Sequence, residues 1–387
     1  MRMDFAFTEE QRGLRWAVRE FVRQRVSRRN GEMEDSDRLA GLLREAAAQG
    51  FLGLLAEEDG GPGRIPWTNL VIVLEEVARH DPVLGELVAL QGGLVPLVLR
   101  RAGTPAARSL LEQAVAEEPV VACWAADDPY VERRRVGPQV AQSGGAAVIR
   151  AHKAWVSFLP LARWALVTTD AAGHPGAGDL FLIDLESDGV EVRPRTNSLL
   201  PAGLPMADLV VRDLPVPAER ILPGHGPEGA AERERIRCLL TAAVALGTAA
   251  GALEQAAEYA NQRQAFGKVI GHFGMIQKSL GDMDLWVKSM RLMVYRLAWL
   301  EEQGQATRTE AYRTRLFAAE RAEQVCDGAM QVFGGYGFTD AFAIGTFLAA
   351  ARLALHRPGS AHDQLRHVAQ DRLGWLAGAA VPAEEVV

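Results

Sequence analysis

A chain of 387 residues is long for one hydrophobic core, and 48% apolar with 24% charged residues is the composition of an ordinary globular protein, neither disordered nor fibrous. The net charge of -7 argues against nucleic acid or an anionic membrane as the main partner. Cys123, Cys238 and Cys326 stand apart, which excludes a disulfide scaffold or a cysteine-rich zinc site and fits reduced thiols in the cytoplasm; no metal site is expected.

The opening stretch MRMDFAFTEEQRGLRW interleaves charges from its second residue, so neither a signal sequence nor a membrane span is expected there, and no later run reaches spanning length unbroken. Thr8 and Gln11 form a capping-box pattern ahead of Leu14, Val18, Phe21 and Val22, which share one helical face. A Gly/Pro-rich break over 57–66 follows. Leu70, Val73, Leu74 and Val77 predict a helix over 69–80 that stops at Asp81 and Pro82, with further helices over 84–101 and 105–117. At Pro119 the period becomes strand-like. Segments 120–125, 146–150, 154–158, 165–169, 180–184 and 208–211 are short, rich in Val, Ile, Trp and Thr, and divided by turn residues, which predicts a small antiparallel β unit. Prolines and glycines from Pro215 to Gly229 mark a linker, after which helices return from about Glu232 to Trp375. The Ala/Gly-rich run Cys238–Leu253 reads as a helix buried among helices, and the tail from Ala377 as a frayed end. The expected order is an N-terminal helical domain (1–118), a middle β domain (119–226) and a C-terminal helical bundle (227–387).

The stretch Tyr259–Met283 reads as two helical segments joined by a flexible glycine-containing loop, with Arg263 at the end of the first. A guanidinium there suits a phosphate, although a surface arginine is commonly only solvated. Arg263, Phe266, Gly267 and Lys268, followed by Leu280–Met283, resemble the R-x-x-F-G-K and L-x-D-M signature of the acyl-CoA dehydrogenase family. Gln331 to Gly337 resembles that family's Q-x-x-G-G-x-G turn, and Ala151 to Ser157 its G-x-K-x-W-I-T/S strand. The resemblance runs along the whole chain. It implies a mainly α fold with a middle antiparallel β domain and a C-terminal four-helix bundle, FAD as cofactor, and an acyl thioester of CoA or a carrier protein as substrate. It also implies an electron acceptor or reductase partner and a homodimer or homotetramer. By the same resemblance Trp155 lies against the flavin and Ser157 bonds its ring, while Arg263 and Phe266 meet the pyrophosphate and adenine region. Gln331, Gly334 and Gly335 would bring backbone close to the FAD of a neighbouring subunit. No Rossmann or P-loop glycine pattern offers another dinucleotide site.

Several positions depart from the family pattern. Its T-E-P strand is Asp127, Asp128, Pro129, which sets carboxylates near the expected cofactor; Gly274 replaces a glutamine, and Ala349 and Ala350 replace an Arg-Asp pair. Its Y-E-G-T segment, which carries the glutamate base, is Arg357, Pro358, Gly359, Ser360, and the alternative base position on the first bundle helix is Arg237. Oxidising the α,β bond of an acyl thioester requires a carboxylate to take the α proton, and neither proline nor arginine can. Glu234 and His356 are the candidate replacements. The segment Leu355 to Pro358 also resembles flavin-dependent monooxygenases of the same fold, in which a histidine faces the flavin. Three readings stay open: an acyl-thioester oxidoreductase with its base at an unrecognised position, a monooxygenase using His356, and a non-catalytic scaffold. The whole-chain match favours the first, with very slow oxidation of simple straight-chain acyl-CoAs.

Overall fold

The computed structural model describes residues 6–26, 36–55, 66–126, 128, 130–131, 134–135, 137–143, 146–171, 174, 176–196, 199–339 and 341–376. The expected break over 57–65, Asp127 and the tail from Ala377 lie outside them.

Thr8 is extended, and its hydroxyl accepts from the Gln11 amide at 3.1 Å while the Gln11 side chain accepts from the Thr8 amide at 3.1 Å. Both capping-box bonds therefore form, and α1 (Glu9–Arg25) buries Val18, Phe21 and Val22. Next come α2 (Ser36–Ala48) and α3 (Trp67–Ala78). Asp81 then opens α4 (Pro82–Ala89) by accepting from the amides of Val83 and Leu84 at 2.9 and 3.1 Å. The helix expected over 84–101 is two, because a π turn over Leu90–Leu94 separates α4 from α5 (Val95–Ala102). Gly92, Gly93 and Pro96 weaken the ladder at that point. Thr104 caps α6 (Pro105–Val115).

The middle of the chain forms β1 (Ala122–Ala125), β2 (Tyr130–Val131), β3 (Arg134–Arg135), β4 (Gln139–Ser143), β5 (Ala146–Ser157), β6 (Trp164–Thr168), β7 (Leu180–Asp184), β8 (Val190–Arg195), β9 (Met206–Pro217) and β10 (Ile221–Leu222). Two four-stranded sheets, ordered β1-β6-β7-β10 and β4-β5-β9-β8, enclose a core that includes Cys123, Ile149, Val167, Ile183, Leu209 and Val211. The unit is not wholly antiparallel, since β1 runs parallel to β6. Parallel neighbours require a crossover, supplied here by the excursion through β4 and β5 of the other sheet. The two strands expected over 146–158 are one, β5, bent by irregularities at Ile149/Ala151 and Lys153/Val156.

The segment expected as a linker is shorter than predicted. Pro215 and Pro217 end β9, and Gly226 already begins α7 (Gly226–Gln262), with Pro227 in its first turn where no amide is needed. The run 238–253 lies inside α7 against α3. A Cβ on Gly247 would come within 2.5 Å of the Glu75 carbonyl, and one on Gly251 would overlap the Arg79 carbonyl, so only glycine permits this approach. Although apolar and long enough to span a bilayer, α7 has 78% of its most apolar window buried within the fold. The expected flexible loop after Arg263 is an ordered hairpin of β11 (Gln264–Ala265) and β12 (Lys268–Val269). Its two turn residues, Phe266 and Gly267, have φ of 51° and 80°, the signs a type I′ turn demands. The bundle continues with α8 (Gly274–Glu302), α9 (Arg308–Phe333), α10 (Ile344–Leu355) and α11 (Ala361–Arg372).

Buried ion pairs join the N-terminal helices to the bundle. Glu75 accepts from Arg79 (3.0 Å), from Arg291 on α8 (2.6 Å) and from the Tyr295 hydroxyl (2.8 Å), while Glu76 accepts from Arg15 (2.5 Å) and Arg19 (3.0 Å) on α1.

Candidate active site

A cavity of about 140 Å³ opens where the ends of β1 and β5 meet α4, α7 and α10. Trp155 forms one wall, 40% exposed, with a φ of 55° that turns it out of the regular pleat of β5. Asp208 on β9 holds that conformation by accepting from the Trp155 amide at 3.1 Å and from Arg195 Nε at 3.0 Å; the Arg195 guanidinium lies 4.9 Å above the indole ring. Burial would raise the Asp208 carboxyl, but Arg195, the Trp155 amide and His152 together hold it down at about 2. The sign follows: because the folded value is depressed, the stabilisation is present above the unfolded value and is lost as pH falls toward about 2. Asp208→Asn is therefore expected to lose less stability than the parent on acidification from about pH 4 to about 2, read from urea midpoints.

On the opposite side Arg357, just past α10, donates Nη1 to the Ser157 hydroxyl at 2.6 Å and Nη2 to the Trp155 carbonyl. Its Nη1 lies 3.8 Å from Oε1 of Glu86, which projects from α4 into the same cavity. Burial pushes the Glu86 carboxyl up, against the opposing pull of Arg357 and the Ser157 hydroxyl. The loop bearing Arg357 is fixed from behind. Arg315 on α9 is fully buried and donates to the carbonyls of Ala354 (2.9 Å), Leu355 (2.7 Å) and Arg357 (3.0 Å), satisfying the open end of α10. Gln364 adds a bond to the Pro358 carbonyl at 2.7 Å.

Of residues 127–129 the structure describes Asp128, which stands at the glutamate of the T-E-P pattern. Its carboxylate meets Lys153 Nζ at 2.6 Å, and both side chains are fully buried. Lys153, two residues before Trp155, also donates to the Thr168 hydroxyl at 3.3 Å, so the Asp128 carboxylate is paired with a cation within the sheet core.

Some of the predicted residues line one of two depressions. Trp155 and Ser157 line the cavity together with Pro358 and Arg237. Arg263, Gly334 and Gly335 line a separate shallow depression, in which the Arg263 guanidinium stacks 5.2 Å over Tyr336. Phe266 caps the hairpin, 95% exposed, and Gln331 is exposed on α9. His356 is exposed and does not line the cavity; Glu234 also lies outside it, facing the Tyr312 hydroxyl and Gly359. Glu86, Asp208 and Arg315 were not anticipated. Glu86 left one signal, as the single charge in the apolar run PVLGELVAL. No metal-holding cluster of His, Cys, Asp or Glu occurs among the described residues.

The cavity fits a planar aromatic cofactor: it presents an indole face, a hydroxyl, and the Trp124 side chain, whose buried Nε1 has no partner among the described residues. Helical domain, paired sheets and helical bundle meeting at an aromatic-walled cleft define a flavin-dependent oxidoreductase. Residues 8–118 match the acyl-CoA dehydrogenase N-terminal domain and residues 229–373 the acyl-CoA dehydrogenase C-terminal domain. The chain belongs to the acyl-CoA dehydrogenase family and is a flavoenzyme with FAD as its cofactor. It is 27% identical over 359 residues to benzylmalonyl-CoA dehydrogenase of Aromatoleum aromaticum, covering 91% of this chain and 95% of that protein. A glutaryl-CoA dehydrogenase of Mycobacterium smegmatis in complex with FADH2 superposes with a TM-score of 0.85 at 18% identity, covering 97% and 96% of the two chains. The prolyl acyl carrier protein oxidase AnaB does so with a TM-score of 0.83 at 19% identity, covering 95% and 100%.

Proposed function

We propose that this protein oxidises the α,β bond of an acyl thioester, carried by CoA or by a carrier protein, and that Glu86 stands in for the family's glutamate as the base. The supporting observation is that Glu86 is the single carboxylate among the residues lining the cavity, beside the Ser157 hydroxyl and Arg357. When bound, FAD supplies the acceptor for the hydride that leaves the β carbon. Trp155 walls the cofactor side, Ser157 and Trp124 offer it hydrogen bonds, and Glu86 receives the α proton. A carboxyl raised by burial is suited to this exchange, because its affinity for a proton then lies nearer neutral pH. His356, on which a monooxygenase reading depends, is exposed and off the cavity and supports no second proposal. The test is anaerobic mixing of the yellow holoprotein with a panel of acyl-CoAs that includes half-thioesters of dicarboxylic acids. Loss of the visible flavin band with at least one of them is expected, and a band unchanged by all of them would overturn the reading.

We further propose that the Arg263 depression meets the FAD pyrophosphate contributed with a second copy of the chain. Phe266, Met275, Leu285, Leu292 and Phe338 expose large apolar surface on the hairpin, on α8 and after α9, which supports a homodimer or homotetramer. Arg263→Ala is expected to weaken FAD binding by about 1.5–3 kcal/mol, measured by fluorescence titration of the apoprotein. Unchanged affinity would put the pyrophosphate elsewhere, and a monomer in sedimentation would remove the shared site.

A further inference from the structure

The charges inside the cavity do not balance. Three ionisable side chains that carry charge line it: Glu86, Arg237 and Arg357. Arg357 and Glu86 lie 3.8 Å apart and compensate one another, with the remaining donors of Arg357 on the Ser157 hydroxyl and the Trp155 carbonyl. Arg237 is half-buried on the inner face of α7, between the buried Ile236 and Cys238, and makes no ion pair or hydrogen bond to any described residue. The nearest acids in sequence are committed elsewhere: Glu232 accepts from Arg101 at 2.7 Å, and Glu234 faces the Tyr312 hydroxyl. Apart from Thr241, the α7 and α10 residues that line the cavity with Arg237 are apolar: Leu240, Val244, Ala350, Leu353 and Ala354. A cation held against such a wall is poorly solvated, and an anionic group on the ligand restores what burial removes.

Resting on the acyl-thioester reading above, we infer that Arg237 receives a carboxylate carried by the acyl group, so that the preferred substrate is the half-thioester of a dicarboxylic acid. Arg237 and Glu86 line the same cavity of about 140 Å³, so an acyl chain that brings its α carbon to Glu86 shares that cavity with the Arg237 guanidinium. The planar guanidinium fork matches a carboxylate through two parallel bonds, and Thr241, one turn further along the same helix, also lines the cavity. Such a side chain at this position recognises substrate and takes no proton, while Glu86 remains free to do so.

The phosphates of CoA are the competing source of negative charge, so the test uses unreactive pantetheine thioethers, which have neither phosphate nor thioester. Two ligands with five-carbon chains, one ending in a carboxylate and one in a methyl group, are titrated into the holoprotein by calorimetry. The carboxylate ligand is expected to bind about tenfold or more tightly than its neutral partner. Arg237→Met should abolish that preference, the two ligands then binding alike, and Arg237→Lys should keep part of it. Equal binding of the two ligands by the parent protein would overturn the inference, as would a preference that survives Arg237→Met. A dependence on Arg237 seen with the matching CoA thioethers, but absent with pantetheine, would assign the residue to a phosphate and also overturn it. None of these readouts requires turnover, so failure of the dehydrogenase reading and failure of the anion site are separable.

Discussion

Lys153→Met is expected to destabilise the protein by about 3–5 kcal/mol, because it removes the buried cation that the Asp128 carboxylate meets in a fully buried site. In the parent that carboxylate receives Lys153 Nζ at 2.6 Å, and the same ammonium bonds the Thr168 hydroxyl and the Ala126 carbonyl, each at 3.3 Å. Removing the cation therefore leaves three acceptors short of a donor. The double variant Lys153→Met/Asp128→Leu removes both charges and is expected to recover most of the loss, since replacing a whole buried pair with apolar groups is often near neutral. Urea denaturation of the parent, the single variant and the double variant measures this directly. A single variant within about 1 kcal/mol of the parent would mean that water reaches the pair. The result matters for function because β5 carries Lys153 and Trp155 two residues apart, and slackness at the first moves the cavity wall formed by the second.

What the sequence disclosed and what it withheld divide along a physical line. Features that depend on near neighbours were legible. Thr8 and Gln11 announced the first helix, and the Ala/Gly run announced a helix pressed against another, because both effects are local in sequence. Besides the two-residue strands, those missed were β4 and β8. Gln139–Ser143 is largely polar, and β8 alternates only over Val190, Glu191, Val192 and Arg193 before Pro194, a residue that argues against a strand interior. The same distinction governs the site. Trp155 and Ser157 could be found because a short motif carries them. Asp208, which fixes the Trp155 backbone, sits on β9, and Arg315, which fixes the Arg357 loop, sits on α9. Only folding brings such partners together, and an aspartate or arginine within its own element looks like any solvated charge. Looking for the base at the two positions where relatives carry it led to Pro358 and Arg237. The carboxylate in the cavity comes instead from α4, whose apolar run hid the significance of its single charge.

Glu86→Gln is expected to lower kcat by about 10²–10⁴-fold, the range that a positioned general base contributes. Glutamine keeps the shape and one acceptor oxygen, so the packing of α4 and the bonds of Arg357 to Ser157 and Trp155 should persist, and FAD should remain bound with a normal visible spectrum. Glu86→Asp retains the carboxylate at a shorter reach and should recover part of the rate. The pH profile separates a chemical role from a structural one. Only the ionised carboxylate can accept a proton, so kcat of the parent should rise with pH through a limb lying above the ordinary carboxylate range, since burial raises this group. In Glu86→Gln the limb should vanish together with the rate. Exchange of the substrate α proton in deuterium oxide provides the second check: the parent should wash deuterium into an acyl-CoA that lacks a β hydrogen, and the glutamine variant should not. A variant that exchanges and turns over at the parental rate would remove Glu86 from the chemistry and return the search for a base to residues outside the cavity lining.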